Sequence, residues 1–327
     1  MPQTRVYADA GNGSILPVVD VTHPDFMIEV DQVDLEAMCR QFVDDSAARQ
    51  EVLPSVREAL QRSTLGRGLM TASDAFLNGM TTYLLKLGPA NLGDWATPVD
   101  RKIAASFPAL ATRLRLQDMA RLLADGTLNA LARIPRRPLR FINIGGGTAA
   151  DSWNALLRLN AEQPALLRGQ SITITVLDID RDGAAFGASA VKALRAADGP
   201  LEAVDVSLDH TEYDWCDPGR LAEALIDLAP SGSACAVSSE GGLFEYGSDA
   251  AIHANLESLR ALTADDVFVV GSVTRDCDAT RAAQRGSGAA TRPRTLAQFN
   301  SLCDRAGWLI QRVIERPFSY DVRLVKR

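Results

Sequence analysis

The stretch from Leu139 to Leu159, LRFINIGGGTAADSWNALLRL, constrains the fold of this chain more than any other. A short apolar run, Phe141 to Ile144, is followed by Gly145, Gly146 and Gly147. Thr148 and Asp151 then lead into a segment where Trp153, Leu156, Leu157 and Leu159 recur at helical spacing. The pattern predicts strand, tight glycine turn, helix. Glycines let the backbone turn sharply and let a ligand approach without meeting a Cβ. The free N–H groups of the new helix then face that ligand.

The texture on either side of Pro138 differs. Before it, helical patterns dominate. Gly11, Gly13, Pro17 and Pro24 punctuate an irregular start, and Ile15 to Val21 reads as a strand or an extended arm. Helices are predicted from Asp31 through Val43, from Val52 to Gln61, and from Leu69 to Leu87, with Gly66 and Gly68 breaking the pattern between the last two. The third of these carries a polar face of Thr71, Ser73, Asn78, Thr81 and Thr82. A loop at Gly88 to Pro98 leads to helices at Val99 to Phe107 and Leu110 to Ala132. Ile134 to Pro138, IPRRP, ends them. The reading is a mostly helical N-terminal region, residues 1–137, followed by a second domain at 138–327.

After Pro138 strands and helices alternate, which marks an α/β sheet covered on both faces. Further strands are predicted at Ser171 to Leu177, Glu202 to Val206, Ala234 to Ser239 and Asp266 to Val273. Trp308 to Ile314 and Tyr320 to Val325 close the chain as a pair. Helices are expected at Ala184 to Ala196, Pro218 to Leu228, Ser248 to Leu262 and Thr295 to Ala306. Thr274 to Arg294 reads as a polar loop holding Arg275, Arg281, Arg285, Arg292 and Arg294. In such sheets ligands bind beyond the carboxyl ends of the strands. The candidate binding residues are therefore Asn143, Gly145, Gly146, Gly147, Thr148, Asp178, Ile179, Asp214, Trp215 and Ser239. A carboxylate at the end of the second strand can accept both hydroxyl hydrogens of a ribose. Trp215 offers a flat face to a base, and Asp214 an acceptor for an exocyclic amine.

On these residues, the part from Leu139 onward resembles the class I S-adenosylmethionine-dependent methyltransferases. Their first motif is acidic-x-Gly-x-Gly-x-Gly, and Asn143, Gly145, Gly147 and Ala149 stand in those places here. Asn143 replaces the acid and Ala149 the third glycine. Asp178 matches the family's ribose-binding acid, Asp214 its adenine-side polar residue, and SYDVRLVKR its terminal antiparallel strands. The resemblance implies a seven-stranded Rossmann-like methyltransferase sheet with helices on both faces. It implies S-adenosyl-L-methionine as cofactor. By analogy with similar enzymes, the helical region roofs an acceptor pocket and pairs two subunits.

The competing fingerprint is that of a nicotinamide dinucleotide fold, since Gly145-x-Gly147-x-x-Ala150 also fits it. There the ribose acid lies about 20 residues further on, whereas Asp178 lies 28 positions past Ala150. A third reading is a non-catalytic subunit that keeps the fold as a platform for a partner.

Methyl transfer is an in-line displacement from an activated donor, so the protein chiefly aligns donor and acceptor. A base is needed only where the acceptor must first lose a proton. Glu240, at the end of the fourth strand, is the best-placed candidate. Tyr246, in the GGLFEYG loop with Glu245, and His253, beside the apolar face of its helix, complete the catalytic candidates. His210 reads as a solvated loop residue. The arginines after the fifth strand suggest an anionic group on the acceptor.

The 327 residues carry a formal net charge of −7, which disfavours nucleic acid as a bulk partner. No DPPY-type tetrapeptide points to an adenine-N6 methylase. The expected acceptor is a small molecule. No apolar run is long enough to span a membrane, and the start has no signal pattern. The five scattered cysteines form no CxxC pair, so no metal site is expected and free thiols in a cytoplasmic setting are.

Overall fold

Seven strands form one sheet in the order β5-β4-β3-β6-β7-β9-β8, in a computed structural model that describes residues 4–11, 13–48, 54–72, 76–133, 136–229 and 232–327. In chain order the elements begin with a small antiparallel pair, β1 (Tyr7–Asp9) and β2 (Ile15–Pro17). Helices α1 (Gln32–Ala48), α2 (Pro54–Arg62), α3 (Thr64–Thr71), α4 (Gly79–Leu87), α5 (Pro98–Ala104) and α6 (Phe107–Arg133) follow. The sheet region runs β3 (Leu139–Ile144), α7 (Ala150–Glu162), α8 (Pro164–Leu167), β4 (Ser171–Asp178), α9 (Arg181–Leu194), β5 (Asp205–Glu212) and α10 (Pro218–Leu228). It continues β6 (Ala234–Ser239), α11 (Leu243–Tyr246), α12 (Asp249–Leu262), β7 (Phe268–Thr274), α13 (Asp278–Ser287), α14 (Leu296–Arg305), β8 (Trp308–Glu315) and β9 (Ser319–Lys326).

Strands β5, β4, β3, β6 and β7 are parallel, while β9 pairs antiparallel with both β7 and β8. The chain leaves β3 toward one edge and returns to its other side at β6, so strand order reverses at the carboxyl end of β3. This order, with its antiparallel closing pair, is the seven-stranded sheet with helices on both faces that the sequence leads one to expect. Strands β3 and β6 are buried almost throughout because both of their faces are covered.

One core lies between the sheet and α6, α7 and α9, and includes Leu122, Phe141, Trp153, Phe186 and Phe268. A second lies on the opposite face, with Leu256, Phe299 and Trp308. The first core also takes in Leu16, Val18 and Leu65. Residues on both sides of the expected boundary at 138 therefore share one interior. Helix α6 is the chief link: a Cβ on Gly126 would stand 2.4 Å from the Phe268 ring. The segment after β2 is also tied to the sheet region. Trp153 Nε1 donates to the Val19 carbonyl at 3.0 Å, and Asn154 Oδ1 accepts from the Val21 N–H at 2.8 Å. No helix of the described residues is long and apolar enough to cross a membrane.

Several expected elements are corrected. The single helix from Leu69 to Leu87 is two: α3 ends at Thr71 and α4 begins at Gly79, where the Asn78 side chain caps the Thr81 N–H at 2.7 Å. Ser73 of the expected polar face lies outside the described residues, as do Val52 at the start of its predicted helix and Ile134 of the IPRRP break. Gly66 and Gly68 do not break a helix but lie inside α3. A Cβ there would meet the Leu60 carbonyl at 2.3 Å and the Thr81 hydroxyl at 2.3 Å, so glycine permits close packing. The strand at Glu202 to Val206 is really β5, whose second half, DHTE, is polar because it is an exposed sheet edge. His210 accordingly stands in a strand, with Nε2 2.8 Å from the Asp178 carbonyl. The loop after the fifth strand contains α13, which buries Ala279, Thr280 and Ala282.

Candidate functional site

The glycine bend sits at the carboxyl end of β3, as the sequence pattern requires. Gly145 and Gly147 take φ of +64° and +56°, a region that favours glycine. Ala149 also takes a positive φ, 58°, as it leads into α7. This is the place where the family's motif has its third glycine. The bend is anchored to β4 by the Gly145 N–H, which donates to the Leu177 carbonyl at 2.8 Å.

Asp178 ends β4 and turns its carboxylate back to the bend. Its Oδ2 accepts from the Gly147 N–H and its Oδ1 from the Asp180 N–H, both at 2.8 Å. Burial pushes its carboxyl above the ordinary value, with these two N–H groups opposing. Ile179 beside it is 53% exposed, leaving an apolar face free. Asp214 is exposed, and its side chain accepts from the Cys216 N–H at 2.9 Å.

Trp215 is half-buried and lies on the bend: a Cβ on Gly145 would stand 2.6 Å from its ring. Phe76 packs edge-on against both Trp215 and Tyr246, with ring centroids 5.3 Å apart in each pair. The start of α4 covers the other side of the bend, where Gly79 donates its N–H to Asp180 Oδ2 at 2.7 Å.

The remaining candidates fall into structural settings. Ser239 donates to the Ile144 carbonyl at 2.8 Å and accepts from the Leu243 N–H at 2.9 Å, so its hydroxyl joins β3 to α11. Thr148 is buried, and α9 packs on its carbonyl at Gly187. Tyr246 is buried against Phe76, which pushes its phenol well above the ordinary range. His253 pairs with Glu257 along α12 at 3.2 Å.

Glu240 lies in a buried ion cluster. It is 4% exposed, and its oxygens meet Lys86 Nζ at 2.7 Å and Arg115 Nε at 3.2 Å. Arg115 also reaches Glu245 at 2.7 Å. Burial works against the Glu240 charge, but Lys86 and Arg115 outweigh it and hold the carboxyl below its ordinary value. A carboxylate so paired is a poor proton acceptor. Lys86 and Arg115 were not foreseen. The signal for Lys86 is a cation inside an apolar run, YLLKLG; Arg115, in the charged stretch RLRLQ, carries no such signal.

This cluster continues as a buried polar layer between α6 and the sheet. Asp118 holds Arg316 at 2.6 Å. Asp321, opposite Ser272 in the β7–β9 ladder, is fully buried. Burial and the charge of Asp118 push its carboxyl up to about 8, with Arg115 opposing. The loop arginines are mostly committed to their own chain. Arg294 is buried on the Phe244 and Gly247 carbonyls and Asp249, Arg275 pairs with Glu315, and Arg281 pairs with Asp278.

The space beside Gly145 and Gly147 is taken by Trp215 and Gly79, each 2.6 Å from where a Cβ would stand, so an adenosyl ligand would reach the bend by displacing them. Asn143 Oδ1 is a buried acceptor without a hydrogen-bond partner beneath it.

No protein-family model and no curated protein matches the chain. Among solved structures, a possible exported protein from Bordetella parapertussis is similar over 91% of this chain and 97% of its own, with a TM-score of 0.55 and 18% identity. That likeness shows a shared fold. Magnesium protoporphyrin IX methyltransferase from Synechocystis PCC 6803, solved with bound SAH, has a TM-score of 0.43 and 16% identity over 68% of this chain and 89% of its own. LepI, solved in complex with SAM, has a TM-score of 0.40 and 12% identity over 61% of this chain and 46% of its own.

Proposed function

We propose that this chain is an S-adenosylmethionine-dependent methyltransferase acting on a small-molecule acceptor. The observation that carries the reading is the meeting of three parts at the strand-order reversal. These are a bend with two left-handed glycines, an acid ending the neighbouring strand, and an aromatic ring from the loop after β5. When bound, the cofactor supplies an activated methyl group. Asp178 would hold the ribose hydroxyls, Ile179 and Trp215 would flank the base, and Asp214 would accept from its amine. Phe76 and the start of α4 exclude water from the bend. Glu240 orients Lys86 and Arg115 rather than moving a proton, so catalysis is by alignment.

Calorimetry of the purified chain with S-adenosylhomocysteine, and separately with NAD, tests this. Binding of the first and not the second supports the reading; the reverse outcome replaces it with a dinucleotide enzyme. One observation favours a second reading, a non-catalytic subunit: Trp215 and Gly79 both rest on the bend. Binding of neither nucleotide would select it.

A further inference from the structure

Cys39 on α1 and Cys277 at the start of α13 lie where those two helices pack, and each is half-buried. A cluster of three rings fixes the place. Phe42, one turn after Cys39, stands 5.8 Å from the rings of both Phe107 and Phe318, which are 5.3 Å from each other. Residues three apart on a helix share a face, so Cys39 and Phe42 look the same way. Cys277 reaches the same place from the sheet side. Its Sγ donates to the carbonyl of Pro317, next to Phe318, at 3.3 Å and lies 3.4 Å from the Thr280 hydroxyl. The Arg275 N–H donates to the Phe318 carbonyl at 2.9 Å. Burial pushes the Cys39 thiol up, and of the charges around it Cys277 and Arg275 act most strongly, in opposite senses.

The other three thiols are placed differently. Cys235 and Cys303 are enclosed in the second core, and Cys216 is exposed in the loop after β5. Two accessible thiols brought to one helix contact are the reactants of a disulfide. Such a bond would act on a lightly held helix: of the α1 residues only Leu35 is fully buried, while Val33 and Met38 are exposed. The segment that carries α13 is joined in turn to the GGLFEYG loop, since the Arg292 N–H donates to the Glu245 carbonyl at 2.7 Å.

We propose that Cys39 and Cys277 form a redox site, at which a small-molecule disulfide such as glutathione disulfide oxidises them to a bond stapling α1 to α13. One thiolate attacks the small disulfide, forms a mixed disulfide and releases one glutathione thiolate. The second protein thiolate attacks that mixed disulfide and releases the other. The two electrons and the two protons of the cysteines end on the two glutathiones, so the step balances. The proposal is independent of which ligand the glycine bend takes.

The full chain is incubated with excess glutathione disulfide, free thiols are blocked with iodoacetamide, and the protein is digested with trypsin without reduction. Mass spectrometry should find the Cys39 peptide joined to the Cys277 peptide in monomeric protein. The melting temperature should rise by a few degrees, since a bond closing so long a loop restricts the unfolded chain, and dithiothreitol should reverse the rise. Cys39→Ser and Cys277→Ser should each lose the joined peptide and the rise, whereas Cys216→Ser should keep both. Wild-type protein with no joined peptide, whether its thiols stay free or carry only glutathione, would overturn the proposal. So would a link from either cysteine to Cys216, a link confined to covalent dimers, or a joined peptide with an unchanged melting temperature.

Discussion

Gly79 and Gly147 meet backbone to backbone across the two halves of the chain. A Cβ on Gly147 would stand 2.6 Å from the Gly79 Cα, and one on Gly79 would stand 2.7 Å from the Gly147 Cα. The contact is fixed from the other side by the Gly79 N–H on Asp180. It makes the start of α4 the cover of the bend.

Gly79→Val should force that cover outward. Over-packing of this kind costs about 1–3 kcal/mol, to be read as a lower midpoint of urea unfolding. An unchanged midpoint would mean that α4 does not rest on the bend in solution.

Asp178→Asn should weaken S-adenosylhomocysteine binding more than tenfold in calorimetry. It should also cost stability, about 1–3 kcal/mol, because the carboxylate accepts two backbone N–H groups and an amide offers one oxygen. Full binding by a stable variant would count against the ribose contact.

Lys86→Met leaves the Glu240 charge buried with one cation fewer. Removing one partner of a buried pair costs about 3–5 kcal/mol. Lys86→Met combined with Glu240→Leu should recover part of that loss in thermal melts. The Glu240 carboxyl lies below its unfolded value. Its share of stability is therefore present above the unfolded value of 4.5 and lost as pH falls through the lower, folded one.

Asp321 behaves with the opposite sign. Its folded value, about 8, lies above the unfolded 3.8, so the folded state holds a proton that the unfolded chain has released. Stability should fall as pH rises through that interval. Asp321→Asn should flatten the decline, so the variant's melting temperature should overtake or approach the wild type's toward pH 8. Parallel curves for the two proteins would exclude a titrating Asp321.

The buried strands were legible because burial on both faces demands apolar residues throughout. FINI, ITITVL and ACAV need no context to be read. Helices α10, α12 and α14 were equally plain, through Pro218, Ser248 and Thr295 at their starts. The edge strand β5 was not, since Asp209, Thr211 and Glu212 are exposed as loop residues would be. The break between α3 and α4 turns on a cap at Asn78 that a run of helix formers conceals. The polar layer escaped for a different reason. Lys86, Glu240 and Asp321 are far apart in sequence from one another and from Arg115 and Asp118 on α6, and only the packing of α4 and α6 against the sheet brings them together. The position of Glu240 was read correctly as a strand end, but its partners decided its chemistry.

The seat of Trp215 on Gly145 gives the protein an optical reporter of its own. Trp153 and Trp308 are fully buried and donate to carbonyls within the fold, so their emission is insulated from events at the bend. Trp95 stands apart in the loop before α5, partly in water. The indole that rests on the bend is thus the one whose fluorescence should change if S-adenosylhomocysteine binds there, and a titration would need no label.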